Sequence, residues 1–146
     1  MGDVARNIQL VERLERAYAE RDYDTVRASV AEDLTAHTPG ADMLPPGVEG
    51  AIASNEGAHT AYPDKATEIL EIFGDGDRTV SHVRMTGTNE GGVPFLGVPA
   101  NGKQVDFDWI QISRHADDGT IVETWAQIDV PTMMVQLGVM PAPEGM

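Results

Sequence analysis

Near the C-terminus, Glu123, Trp125, Gln127 and Asp129 recur at every second position. Alternate side chains on an extended strand share a face. The spacing therefore sets the Asp129 carboxylate two residues from an amide and four from an indole. Val122, Thr124, Ala126, Ile128 and Val130 take the other face, which is small and mostly apolar. A few placed polar groups in an apolar surround make the composition of a small-molecule pocket. Burial in such a pocket raises the pKa of a carboxyl, and one carboxyl can then both remove and return a proton. Asp129 is the candidate catalytic acid/base. It also precedes Pro131, and capping a helical turn there is its ordinary structural use.

The strand that positions these residues needs a partner. Residues 105–115 alternate as a strand, residues 117–119 (Asp-Asp-Gly) mark a turn, and residues 121–130 return. If the turn pairs His115 with Ile121, odd-numbered residues of both strands share a face. Trp109 then stands opposite Gln127, and Gln111 opposite Trp125. A slip by one residue inverts a strand and brings Ile110 and Ile112 to those places. The first register is the expectation, because it gathers amides and indoles around Asp129. Core packing is the other reading of Trp109 and Trp125.

Further candidates for binding a substrate lie upstream. Tyr18 sits on an amphipathic helix that should cover a cavity, where its hydroxyl could meet a substrate oxygen or its ring simply join the core. His59 and Tyr62 are three apart at the end of another helical stretch and so are neighbours. His59 could relay a proton or could face solvent. His37 follows a short strand, whereas His82 and His115 read as peripheral. Four scattered histidines with no close carboxylate partner make a poor metal site. The absence of cysteine removes thiolate chemistry and disulfides. Residues 101–104 (Asn-Gly-Lys-Gln) lack the Ser or Thr of a phosphate loop, and no Gly-x-Ser-x-Gly elbow occurs.

The elements follow from periodicity. Val4, Ile8, Val11, Leu14, Ala17 and Tyr18 recur at helical spacing, predicting a helix over 3–21. A short helix is expected from Asp24, with Asp24 as N-cap, then a strand over 34–37. Residues 48–61 read as a third helix, ended by Tyr62-Pro63. Strands are expected over 67–73 and 78–86, and a Gly- and Pro-rich excursion over 87–102 reads as a turn and mobile lid. Residues 131–138 form a closing helical turn capped by Gly138, with Met133 and Met134 as core fillers. Helices followed by a run of strands indicate an α+β fold, with a curved antiparallel sheet, three helices packed on its concave face and a conical cavity between the layers.

The 146 residues suit one domain over 1–146. A formal charge of -14, from 24 acids against 10 bases, opposes binding to nucleic acid and to anionic membranes. No apolar run is long enough for a membrane span. The N-terminus leads into an amphipathic pattern and not a signal-peptide core. A cytoplasmic location is the expectation.

Four stretches together resemble the SnoaL-like polyketide cyclases of the nuclear-transport-factor-2-like superfamily. They are residues 61–64 (Ala-Tyr-Pro-Asp), 87–91 with 95–103, 118–129 and 136–138 (Gln-Leu-Gly), in that order along the chain. The resemblance implies a cone-shaped, cystatin-like α+β barrel, a hydrophobic small-molecule substrate, no cofactor and no metal, and a homodimer or homotetramer built through the sheet. It implies ring closure of a polyketide by intramolecular aldol condensation, with the acid/base aspartate falling on Asp129. Gln127 stands where relatives often have histidine, and the turn over 116–119 is one residue longer than usual. Epoxide hydrolysis, hydroxylation or isomerisation in the same cavity are alternatives, as is a non-catalytic module that binds a hydrophobic ligand. An epoxide hydrolase would want an acid–arginine–acid relay, for which Arg84 and Arg114 are the available arginines.

Overall fold

The computed structural model describes residues 2–144. Helix α1 spans Val4–Glu20 and begins at Asp3, whose side chain accepts the Arg6 amide at 3.1 Å. It stops at Arg21, which turns left-handed at φ 57°. That turn delivers Asp22, and not Asp24, as the N-cap of α2 (Tyr23–Ser29). Asp22 accepts both the Thr25 amide, at 3.2 Å, and the Thr25 hydroxyl, at 2.6 Å. The cap expected at Asp24 therefore moves two residues earlier, to the acid that has a hydroxyl partner three residues on.

Strand β1 (Val30–His37) leads through a 3-10 turn at Ala41–Met43 to α3 (Val48–Ala61). Strands β2 (Ala66–Asp75), β3 (Arg78–Thr88), β4 (Gln104–His115) and β5 (Ile121–Ile128) follow, and α4 (Val130–Gln136) closes the chain. The five strands form one curved sheet in the order β1-β5-β4-β3-β2. Neighbours from β5 to β2 are antiparallel, while β1 runs parallel to β5 at the edge. Parallel strands need a long connection, and all of α3, β2, β3 and β4 lies between these two.

The 87–102 excursion is anchored to the body. Asn89 is 0% exposed. Its amide donates to the Pro99 carbonyl at 3.0 Å and to Asn101 Oδ1 at 3.1 Å, and its oxygen accepts the Gly92 amide at 2.9 Å. Val93 and Val98 of the excursion are themselves buried.

Two apolar cores form. One joins Leu10, Val11, Leu14 and Ala17 of α1 to Val26, Val30, Leu34, Val48 and Ile121. The other joins Ala61 and Tyr62 to Met85, Val105, Phe107, Met133 and Leu137. Residues of both line the cavity between helices and sheet.

The β4–β5 register decides which residues reach that cavity. His115 does pair with Ile121, as expected. Arg114, however, pairs with Glu123, so Val122 is an extra residue forming a bulge. A bulge offsets every pair beyond it by one. Trp109 faces Ile128, Gln111 faces Ala126, Ile110 faces Gln127 and Ile112 faces Trp125. The expected grouping of Trp109 with Gln127 and of Gln111 with Trp125 is thus corrected. Trp109 and Gln111 share the concave face with Thr124, Ala126 and Ile128, and Trp125 and Gln127 lie on the outer face.

Candidate active site

The cavity has a volume of about 1020 Å³. The sheet supplies Thr67, Met85, Phe107, Trp109, Gln111, Thr124, Ala126 and Ile128 as its floor. Helices α1 and α3 supply Leu14, Glu15, Tyr18, Ala51, Asn55 and Ala58 as its roof, and the 38–47 loop with Val93 and Phe95 forms its rim. Gly47, at φ 73°, lets this loop lie against β1, where an added Cβ would meet the Glu32 carbonyl oxygen at 2.2 Å. Gly87 performs a similar service for Tyr62, since a Cβ there would fall 2.7 Å from Tyr62 Cβ.

Among these mostly apolar walls one polar cluster stands out. Glu15 and Tyr18 are one turn apart on α1 and both line the cavity. Lys65 reaches in from the start of β2 and donates to Asn55 Oδ1 at 3.1 Å. The Asn55 amide donates to the Tyr18 carbonyl at 2.8 Å and to the Tyr23 hydroxyl oxygen at 3.1 Å. Asn55 therefore ties both helices to the ammonium. Lys65 is the one basic side chain among the described lining residues.

Burial pushes the Glu15 carboxyl up to about 7, an effect that the nearby Lys65 charge offsets only in part. Burial likewise lowers Lys65, against the opposing pull of Glu15. It raises the Tyr18 phenol far above its ordinary value, with the Glu15 and Tyr23 charges adding to the effect. Tyr62 is pushed up to about 12 by burial, and its hydroxyl is enclosed without a hydrogen-bond partner among the described residues. Both phenols thus remain protonated donors near neutral pH, while the carboxyl is divided between its two forms.

Of the residues expected to meet a substrate, Tyr18, Tyr62, Trp109 and Gln111 line the cavity. Gln111 also donates to Ser113 Oγ at 3.2 Å. His59 points its Nε2 at the Tyr18 carbonyl, 3.1 Å away, and braces α3 on α1 from outside the lining. His37 lies on the outer face, stacked on Trp125 at 5.3 Å with its Nε2 2.8 Å from Glu123. Trp125 is also covered by Arg78 at 5.0 Å. Gln127 is exposed on that same face. Asp129 is half-buried at the β5–α4 junction and accepts the Thr132 amide at 3.2 Å, capping α4. It is not among the lining residues, although its neighbours Ile128 and Met133 are. Arg84 is paired with Asp106 and Arg114 with Glu123, both outside the cavity. Among the described residues no group of three His, Asp or Glu side chains is arranged to hold a metal.

Sequence reasoning passed over Glu15, Asn55 and Lys65. A signal was present for Glu15: it follows Val11 by four residues and precedes Tyr18 by three, so it lies on the apolar stripe of α1.

A curved sheet roofed by helices over a deep, largely apolar cavity defines a small-molecule-binding α+β cone of the nuclear-transport-factor-2-like kind. The model of the SnoaL-like polyketide cyclases matches residues 8–137, and the chain belongs to that family. No curated protein matches the sequence. Among solved structures, the chain is similar to TsrD from Streptomyces laurentii, with a TM-score of 0.83 and 24% identity over 96% of this chain and 100% of that one. IdmH from Streptomyces antibioticus, described as a candidate polyketide cyclase, gives 0.75 and 30% identity over 91% and 99%. AclR from Streptomyces galilaeus, described as a candidate hydroxylase, gives 0.79 and 25% identity over 97% and 87%.

Proposed function

We propose that this chain catalyses cofactor-free intramolecular aldol-type ring closure of a polyketide-like carbonyl compound. The observation that carries the reading is the cavity: about 1020 Å³, apolar on most sides, with its acid, base and phenol donors gathered on one wall. Such a space can fold a flexible chain so that a nucleophilic carbon meets a carbonyl, and orientation of this kind can supply about 7 kcal/mol or more. The conjugated carbonyls of the substrate carry the enolate charge, and Tyr18 on the cavity roof is available to donate to its oxygens. The similarity to IdmH supports the reaction class.

The family pattern points to Asp129 for the acid/base role, yet that carboxylate caps α4 and lies outside the cavity lining. Three carboxyls line the cavity: Glu32 and Asp33 are exposed on β1, and Glu15 is the one held on the helical roof. Hydroxylation is the second reading, supported by the similarity to AclR. We also propose a homodimer through the outer sheet face, where Phe73, Val80, Ile112 and Trp125 form a continuous row across β2, β3, β4 and β5.

The test is incubation with a panel of cyclisable poly-β-keto esters, following ring formation by absorbance and mass. Products of unchanged mass are expected from ring closure, and a gain of one oxygen would support hydroxylation instead. Ala58→Trp, which fills the cavity from α3, should abolish turnover while leaving the circular dichroism spectrum intact. Full turnover in that variant would place the reaction elsewhere.

A further inference from the structure

Resting on the ring-closure reading, we infer that Glu15 is the group that moves the proton, acting on a ketone flanked by a second carbonyl, with Lys65 as the residue that tunes it. Three geometric observations converge. Glu15 lines the cavity from α1, beside Tyr18. Lys65 enters the same wall and is held there by Asn55, which is itself fixed to α1 and to Tyr23. The described Glu15 carboxyl makes no ion pair, so its oxygens are free for a ligand, whereas Asp129 is committed to the Thr132 amide.

The step balances within the substrate. The Glu15 carboxylate takes a proton from the carbon between two carbonyls. The C–H electron pair becomes the enolate π bond, and charge moves to the carbonyl oxygen. That carbon then bonds to a distant carbonyl carbon, whose C=O π pair moves to oxygen. The alkoxide so formed takes the proton back from Glu15, so product and substrate are isomers. A carboxyl divided between its two forms near pH 7 serves both halves. The Lys65 ammonium favours the ionised carboxylate and so sets the pH at which the base becomes available.

Proton abstraction can be measured apart from ring closure. The probe is a naphthyl-bearing 2-alkyl β-keto ester with one α-proton and no internal electrophile, followed by NMR for exchange into D2O. The wild type should accelerate exchange above buffer. Glu15→Gln should lower that acceleration by about 10²- to 10⁴-fold, the range for loss of a general base, and Asp129→Asn should retain it. The wild-type rate should rise with pH through about 7 and then level. Lys65→Met should move that rise to higher pH. With 13C-labelled glutamate carboxyls, one resonance should titrate near 7 and be missing from Glu15→Gln. Equal exchange in Glu15→Gln, no wild-type acceleration, or no such resonance would each overturn the assignment. Exchange through Glu15 without ring closure of any panel ester would sink the ring-closure reading alone. Ring closure that survives Glu15→Gln would sink the assignment alone.

Discussion

Replacing Glu15 by Gln should make the protein more stable, and by an amount that depends on pH. The carboxyl ordinarily titrates at 4.5 and is pushed up to about 7 in the folded chain. Its folded form therefore holds a proton more tightly than its unfolded form. Between those two values the native state binds more protons than the unfolded state, so stability falls as pH rises. Below 4.5 both states are protonated and the group makes no difference. Above 7 the full cost of holding a charge in the cavity is present. At 1.36 kcal/mol per pKa unit this cost is about 3 kcal/mol. Lys65 loses a favourable neighbour in the variant, which reduces the gain to about 2 kcal/mol near pH 8. The assay is urea denaturation of wild type and Glu15→Gln at pH 4, 6 and 8. The difference in unfolding free energy should be near zero at pH 4, grow through pH 6 and reach its maximum at pH 8. In a chain of this length the corresponding rise in Tm is roughly 4–8 °C. A difference of the same size at all three pH values would show that Glu15 ionises as it does in water, and the argument for a tuned cavity carboxyl would fail.

Other perturbations test the frame around the site. Asn89→Ala removes three hydrogen bonds at a fully buried position and strands the Gly92 amide. A loss of about 2–4 kcal/mol in urea denaturation is expected, and a loss below 0.5 kcal/mol would mean that the excursion is held by other contacts. Asp129→Asn should preserve the α4 cap, since Asn caps as well as Asp, whereas Asp129→Ala should cost about 1 kcal/mol. Turnover that drops by orders of magnitude in the stable Asn variant would return the chemistry to Asp129. Ile112 is 37% exposed in the middle of the outer row. Ile112→Lys should convert a dimer to monomer in sedimentation at micromolar concentration, and an unchanged sedimentation coefficient would remove that face as the interface.

The helical periodicity of α1 and the stop at Tyr62-Pro63 were readable in the sequence, because both depend on residues close along the chain. The β4–β5 grouping was not. It depends on Val122 being unpaired, and one unpaired residue reverses the facing of a whole strand. The pairing of His115 with Ile121 was read correctly, yet it predicted the wrong neighbours for Trp125 and Gln127. The extra turn residue was the visible warning. His115 anchors that turn through the Gly119 carbonyl, 2.8 Å from its Nδ1, and through Thr79, 2.9 Å from its Nε2. The pairing at the turn is thereby fixed, and the additional residue is expelled as a bulge. Lys65 was invisible for another reason. It follows Pro63 and Asp64 in what reads as a polar turn, and only the distant Asn55 makes it a cavity residue.

The position of Glu15 also explains why the cavity stays open. A carboxyl on the apolar stripe of α1 prevents that stripe from closing fully onto the sheet, because complete closure would leave a charge with no water and no donor. Leu14 and Ala17 beside it are packed into the first core, and Phe107 and Met133 into the second. The helix is thus held down through Leu14 and Ala17 next to a polar gap that it cannot fill. A ligand that brings an oxygen to Glu15 and Tyr18 would give them a partner, whereas a wholly hydrocarbon ligand would leave them without one. On this argument the cavity selects carbonyl-rich molecules over plain hydrophobes, before any bond is made.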